Sequence, residues 1–224
     1  MTHMMKMSFA ILVLSAVPLF AQATAPPPLQ KAFGVQMAVT SNAESMPEAD
    51  NLGAWVVAVS GDNKLYFGPD LVTPEELANL VKSIPHKRDA KLYIQADAHA
   101  RFSSVRDVMD LGHQAAFVAS VFLTLQRQYV APGTVAPPKG LQIAPLPGSE
   151  EGSILVGLFT ASRGPVTKVN NQIIPAGTLE TLLTELLRGR TDKMVILKAD
   201  GHLPFSEVVR VVDLCKSLGA QVAM

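Results

Sequence analysis

A chain of 224 residues with 48% hydrophobic and 17% charged side chains has the material for a packed core, which excludes an intrinsically disordered segment. Nineteen basic and nineteen acidic residues cancel, leaving no positive field to gather DNA, RNA or an anionic bilayer, so no nucleic-acid partner is expected. Length alone fits one large domain or two of roughly 100 residues.

Lys6 precedes the apolar run Phe9–Phe20, and Ala21-Gln22-Ala23 then places small residues at the two positions a signal peptidase reads. A spanning helix needs roughly 20 apolar residues; this run is shorter and Pro18 interrupts it. Residues 1–23 are therefore expected to be an export signal cleaved near Thr24, with a short retained N-terminal anchor as the alternative. The expected location is the periplasm or cell envelope, or the inner membrane if the segment is kept. No cysteine directly follows the run to carry a lipid. Residues 24–32, with the run TAPPPLQ, read as a polyproline spacer.

The folded part is expected from Phe33. Ala54–Val59, AWVVAV, is an apolar run of strand length, and SGDNKLYFG supplies the turn residues of a hairpin into Lys64–Phe67. In VTPEELANLVKSIP, Thr73 and Glu76 predict a capping box with Pro74 in the first turn. Leu77, Leu80, Val81 and Ile84 form one stripe before Pro85 stops the helix. KLYIQAD is a strand that delivers Asp97. The helix after it carries the stripe Val105, Val108, Gly112 and Ala115, and FVASVFLT from Phe117 is a closing strand. Residues 127–139, with the stretch APGTVAPPK, read as a proline-rich linker.

The same order then recurs. GLQIAP from Gly140 echoes GVQMAV from Gly34; ILVGLF from Ile154 echoes AWVVAV, followed by a looser hairpin. Leu179, Leu182, Leu183 and Leu186 form a helical stripe ending at Gly189, KMVILKAD delivers Asp200, and AQVAM closes the copy. ADAHARFSSVRDVMDL (Ala96–Leu111) and ADGHLPFSEVVRVVDL (Ala199–Leu214) agree at nine of sixteen positions. In the second helix, Val208, Val211, Cys215 and Leu218 form the stripe, so the only cysteine, which has no disulfide partner, is expected in the core. TSNAESMPEADNLG and the shorter LPGSEEG, which differ between the copies, read as exposed loops. The predicted fold is α+β, with two tandem ββαβαβ-like modules, 33–126 and 140–224. Each is a small mixed sheet covered by two helices and is expected to fold alone.

Two carboxylate–imidazole pairs, Asp97 with His99 and Asp200 with His202, recur at one spacing and could supply metal ligands or an acid/base pair. The preferred reading is architectural, the Asp accepting backbone hydrogen bonds at a strand-to-helix corner. Neither corner has a third ligand fixed nearby in sequence. Ser103 and Ser206 sit where helix caps belong, and no GxSxG elbow surrounds them. Asp110 and Asp213 read as exposed helix carboxylates, and Trp55 as core in preference to a carbohydrate platform. No glycine-rich phosphate loop or paired-cysteine motif is present, so no catalytic residue, metal or cofactor is assigned.

The ordered set of Leu146-Pro147, DNKLY, TPEEL, IQAD with ILKAD, and VRDVMD with FSEVVRVVDLCKSLGA resembles the periplasmic domain of the ExbD/TolR family of biopolymer transport proteins. The resemblance is found twice, over roughly Phe33–Met224. It implies a non-enzymatic envelope protein whose partners would be an ExbB/TolQ-like channel, a TonB/TolA-like envelope protein or peptidoglycan. Homo-oligomers are also implied, although a tandem chain would itself supply both halves of an assembly that the family builds from two chains. Family members carry an aspartate in their membrane helix, whereas Ser8–Phe20 contains no acidic residue, so the domain is carried over and the proton-coupled motor role is not. The expected function is an exported binding protein accessory to proton-motive-force-coupled biopolymer transport. The alternative is a small-molecule or metal-binding periplasmic protein using the Asp-x-His corners.

Overall fold

The computed structural model describes residues 35–126, 135–162 and 164–224. The expected export signal, the proline spacer and the 127–134 part of the expected linker lie outside the described residues. Among the described residues no helix is long and apolar enough to cross a membrane.

After β1 (Glu44–Ser45) and a 3-10 turn (Pro47–Asp50), β2 (Trp55–Val59) buries residues 55, 57 and 59 and leaves 56 and 58 half-buried, the period of a strand. Asn63 takes φ 65° in the following turn, a conformation asparagine tolerates, and its N–H donates to Ser60 O at 2.8 Å. The chain returns antiparallel as β3 (Leu65–Phe67) and again as β4 (Asp70–Val72). α1 (Pro74–Ser83) begins with the expected capping box: Thr73 Oγ1 accepts from Glu76 N–H at 3.2 Å, and Glu76 Oε2 accepts from Thr73 N–H at 2.8 Å. β5 (Lys91–Ala96), α2 (Phe102–Gln114), β6 (Ala119–Thr124) and β7 (Lys139–Ile143) follow. The rest of the chain is β8 (Ile154–Ala161), β9 (Gly164–Val169), β10 (Gln172–Ile173), α3 (Leu179–Leu187), β11 (Met194–Ala199), α4 (Phe205–Ser217) and β12 (Gln221–Ala223).

The protein is α+β, with a seven-stranded mixed sheet in the order β1-β7-β6-β5-β2-β3-β4 and a five-stranded mixed sheet in the order β10-β9-β8-β11-β12. The run β6-β5-β2-β3-β4 in the first sheet recurs as β12-β11-β8-β9-β10 in the second, with parallel inner pairs and an antiparallel hairpin in both. Gly112 of α2, where an added Cβ would lie 2.7 Å from Leu92 Cδ2, corresponds to Cys215 of α4, and Leu92 corresponds to Val195. A large strand residue faces a glycine in one repeat and a smaller strand residue stands with a cysteine in the other, which keeps the summed volume similar.

Four features depart from the sequence reading. The second hairpin is the longer one, with six residue pairs from Val156↔Val169 to Ala161↔Gly164 against three in the first; its turn is permitted by Gly164 at φ 117° and lacks an obvious turn dipeptide. The polar stretch before β2 is not simply exposed, because Met46, 3% exposed, and Ala49 pack on Tyr93, Val121 and Leu123 and cover the second face of the first sheet. β7, the first strand of the second repeat, pairs along β6 in the first sheet, and its next residue Ala144 bridges Ala223 at the edge of the second sheet. Finally, one apolar cluster contains Val57, Phe122 and Ile143 together with Val156, Phe205 and Val222, so the repeats share a core.

Candidate functional site

β5 and β11 each deliver their aspartate one residue past the strand. Asp97 N–H donates to Val59 O and Asp200 N–H to Leu158 O, both at 2.8 Å, so the parallel pairing runs up to the corner. The chain then turns, with Ala100 N–H donating to Asp97 O at 3.0 Å and Leu203 N–H to Asp200 O at 3.1 Å.

The carboxylates hold these turns. Asp97 Oδ1 accepts from His99 N–H at 2.9 Å and from His99 Nδ1 at 3.2 Å, while Oδ2 accepts from Gln36 N–H at 2.9 Å. Asp200 Oδ1 accepts from His202 N–H and Nδ1, both at 3.0 Å, and Oδ2 from Thr160 N–H at 3.4 Å. The imidazoles themselves are 73% and 81% exposed. Burial pushes the Asp97 carboxyl up, but the donors from His99 and Gln36 outweigh it and hold it below the ordinary carboxylate value. For Asp200 the His202 N–H is the largest influence, and the carboxyl is held down to about 2.

The corners also bind each other. Arg101 and Pro204 are antiparallel bridge partners. Phe102 N–H donates to Leu203 O at 2.9 Å and Phe205 N–H to Ala100 O at 2.8 Å; Ser103 N–H donates to Gly201 O at 2.9 Å and Ser206 N–H to Ala98 O at 3.0 Å. These reciprocal pairs give the ladder local two-fold symmetry. They also correct the cap assignment. Ser103 and Ser206 lie at the second positions of α2 and α4, whose N-caps are Arg101 and Pro204 without any side-chain cap bond. Each helix has its leading N–H groups satisfied by carbonyls of the other repeat. Phe122 meets Phe205 edge-on behind the ladder, ring centroids 5.0 Å apart.

Sequence reasoning missed three supporting residues. Asn63 Oδ1 accepts from Arg101 N–H at 2.7 Å and from Ser104 Oγ at 3.3 Å; the turn motif that signals Asn63 is visible in sequence, its partner is not. Gln36 sits in the repeated GxQ segment, which is the only sequence trace of its contact with Asp97. Asp213 is not a free helix carboxylate: it accepts from Ser41 N–H at 3.0 Å and Asn42 N–H at 2.8 Å, pinning the first repeat to α4.

Chemically, each corner brings together one carboxylate and one imidazole, both turned on each other. Among the described residues no group of three or more His, Cys, Asp or Glu lies close enough to hold a metal ion. Beside the first corner a cleft of about 500 Å³ is lined by Asn63, Leu65, Leu71, Val72, Ser104 and Asp107 among others. A second cleft, of about 790 Å³, lies at the far end of the same sheet. Fold and site together define a two-sheet α+β protein with an internal repeat whose corners are joined main chain to main chain. In comparisons with known proteins the chain matches no family model, no curated protein and no solved structure.

Proposed function

We propose that the chain is an exported, non-enzymatic envelope protein that acts by binding other envelope components through its paired repeats. What supports this most is the reciprocal ladder between Ala98–Ser103 and Gly201–Ser206, which joins the two repeats into one body and uses the corner carboxylates to hold backbone. A pair of repeats in one chain is what the resemblance to the ExbD/TolR family leads one to look for, since one chain then supplies two halves of an assembly. Under this proposal the partner is an ExbB/TolQ-like channel, a TonB/TolA-like protein or peptidoglycan, and the role is accessory to biopolymer transport.

The test is fractionation of cells producing the full chain, with intact-mass measurement, followed by chemical cross-linking in the envelope fraction and sedimentation with isolated peptidoglycan. The expected result is a mature N-terminus near Thr24 with a cross-linked envelope protein or retention on peptidoglycan. Cytosolic protein that retains Met1, or exported protein that captures neither, overturns the proposal. The rival metal-binding role makes a separate demand: a stoichiometric zinc or nickel heat that disappears in the Asp97→Ala, Asp200→Ala double variant.

A further inference from the structure

His86 lies half-buried in the connection between α1 and β5, and both of its ring nitrogens face backbone carbonyls. Nε2 is 2.9 Å from Ala115 O and Nδ1 is 3.1 Å from Lys87 O, each in the geometry of a donated hydrogen bond. A carbonyl oxygen can only accept. A neutral imidazole has one N–H and one lone pair, so it satisfies one of these carbonyls and turns its lone pair on the other. The imidazolium carries an N–H on each nitrogen and satisfies both.

The ring's other neighbours suit a cation. Ala115 is the C-cap of α2, and its carbonyl stands at the negative end of a 13-residue helix. The imidazole stacks on Phe117, ring centroids 4.2 Å apart with 18° between the planes, and meets Trp55 edge-on at 6.1 Å. Lys87 O also receives Ala90 N–H at 3.0 Å, and Ala90 O receives Val118 N–H at 3.1 Å. One end of the connection is therefore tied to the start of β6 by main chain, and His86 ties the other to α2.

The other titratable groups around the ring are Lys87, Arg88 and Asp89 on its own connection, Lys91 of β5, Glu48 of the 3-10 turn and His113 in the last turn of α2. Tyr93 packs in the separate cluster on the opposite face of the sheet. Among the described residues none of these side chains forms an ion pair or a hydrogen bond with His86.

We propose that His86 is a proton-operated clasp, which in its imidazolium form fastens the α1–β5 connection to the end of α2 through both ring nitrogens and in its neutral form keeps only one of the two bonds. The second bond exists only with the proton on. Its contribution is present in acid and is lost as pH rises through the ordinary range of histidine, near about 6.5. That window lies above the one in which the corner carboxylates titrate.

Trp55 is the only tryptophan in the chain, and it reports the clasp because a protonated imidazole beside an indole quenches its emission. The fluorescence of the full chain is followed between about pH 5 and about pH 8, alongside His86→Phe, which keeps a ring on Phe117 and removes both donors. Wild type is expected to brighten in one step as pH rises, and His86→Phe to stay flat. In urea melts the ratio of the unfolding constants of His86→Phe and wild type is expected to be about fivefold larger at the acid end of that range than at the alkaline end. His113 is present in both proteins and cancels from the ratio. If His86→Phe loses the fold, the imidazole N–H resonances of wild type decide: at the acid end both ring N–H protons of the histidine in contact with Phe117 are expected to be protected from exchange. A flat wild-type titration, a step that survives in His86→Phe, a ratio that does not change with pH, or unprotected ring N–H protons each overturns the proposal.

Discussion

Arg101 and Pro204, one at the foot of each long helix, face each other as antiparallel bridge partners. Proline has no N–H to give, so the bridge is completed by its neighbours: Phe205 N–H reaches Ala100 O, and Phe102 N–H reaches Leu203 O. The repeated sequence stretch is therefore also a contact surface of one repeat for the other. The carbonyls of each corner receive the first N–H groups of the twin's helix.

Asp97 is 8% exposed and satisfies the backbone donors of Gln36 and His99. Asp97→Ala leaves both without their acceptor and is expected to cost about 2–3 kcal/mol in urea melts, while Asp97→Asn keeps an oxygen and costs about 1 kcal/mol. Equal stability of wild type, Ala and Asn, measured with excess chelator, would refute an architectural Asp97.

Acid should act through the same corners. The Asp200 carboxyl is held down to about 2 and Asp97 is also lowered, so both contribute stability that is fully present above their unfolded value, near 4. The Asp200 contribution is lost as pH falls from about 4 through about 2, and the Asp97 contribution is likewise lost on the acid side of its unfolded value. The urea midpoint of the wild type should drop across this window, and Asp200→Asn should show a shallower fall than wild type because it removes one titrating group. Parallel profiles would disprove it.

A fragment beginning at Lys139 should not unfold cooperatively. It loses β6 as the partner of β7, the carbonyls of Ala98 and Ala100 that receive the first N–H groups of α4, and Phe122 against Phe205. A single sharp calorimetric transition in the fragment would show that each repeat has a sufficient core of its own.

Gly201 tests the closeness of the ladder. A Cβ there would lie 2.9 Å from Ser103 Cβ and 3.4 Å from its Cα, both rigid parts of the facing repeat, so Gly201→Ala should cost about 1–3 kcal/mol. Gly148→Ala, with nothing within 4 Å, should change stability by less than about 0.5 kcal/mol. The difference between the two urea midpoints is the measurement, and a Gly201→Ala protein as stable as the Gly148→Ala control would contradict the close approach.

Cys215 is fully buried, and burial pushes its thiol up to about 12. A thiol reagent at pH 8 should therefore modify native protein only as fast as the protein opens, and one equivalent should react at once in denaturing urea. Rapid modification of the native protein would place Cys215 at the surface.

Much of this molecule is local, and local features were readable. The capping box of Thr73 and Glu76, the Ser60–Asn63 turn, the valine stripes of α2 and α4 and the burial of Cys215 depend on residues a few positions apart, where helical or strand periodicity and cap chemistry act directly. The recurrence of strand order likewise follows from the duplication of ADxHxxFS and its flanks. Tertiary structure decided the rest. Which carbonyls receive the N–H groups of Phe102 and Phe205, where β7 pairs, what Asp213 holds, and which strand residues the Met46 segment covers all join positions tens to well over a hundred residues apart. A sequence repeat states that two corners are alike; it carries no term for their meeting, because that depends on backbone groups every residue possesses and on the shared core that brings them into range.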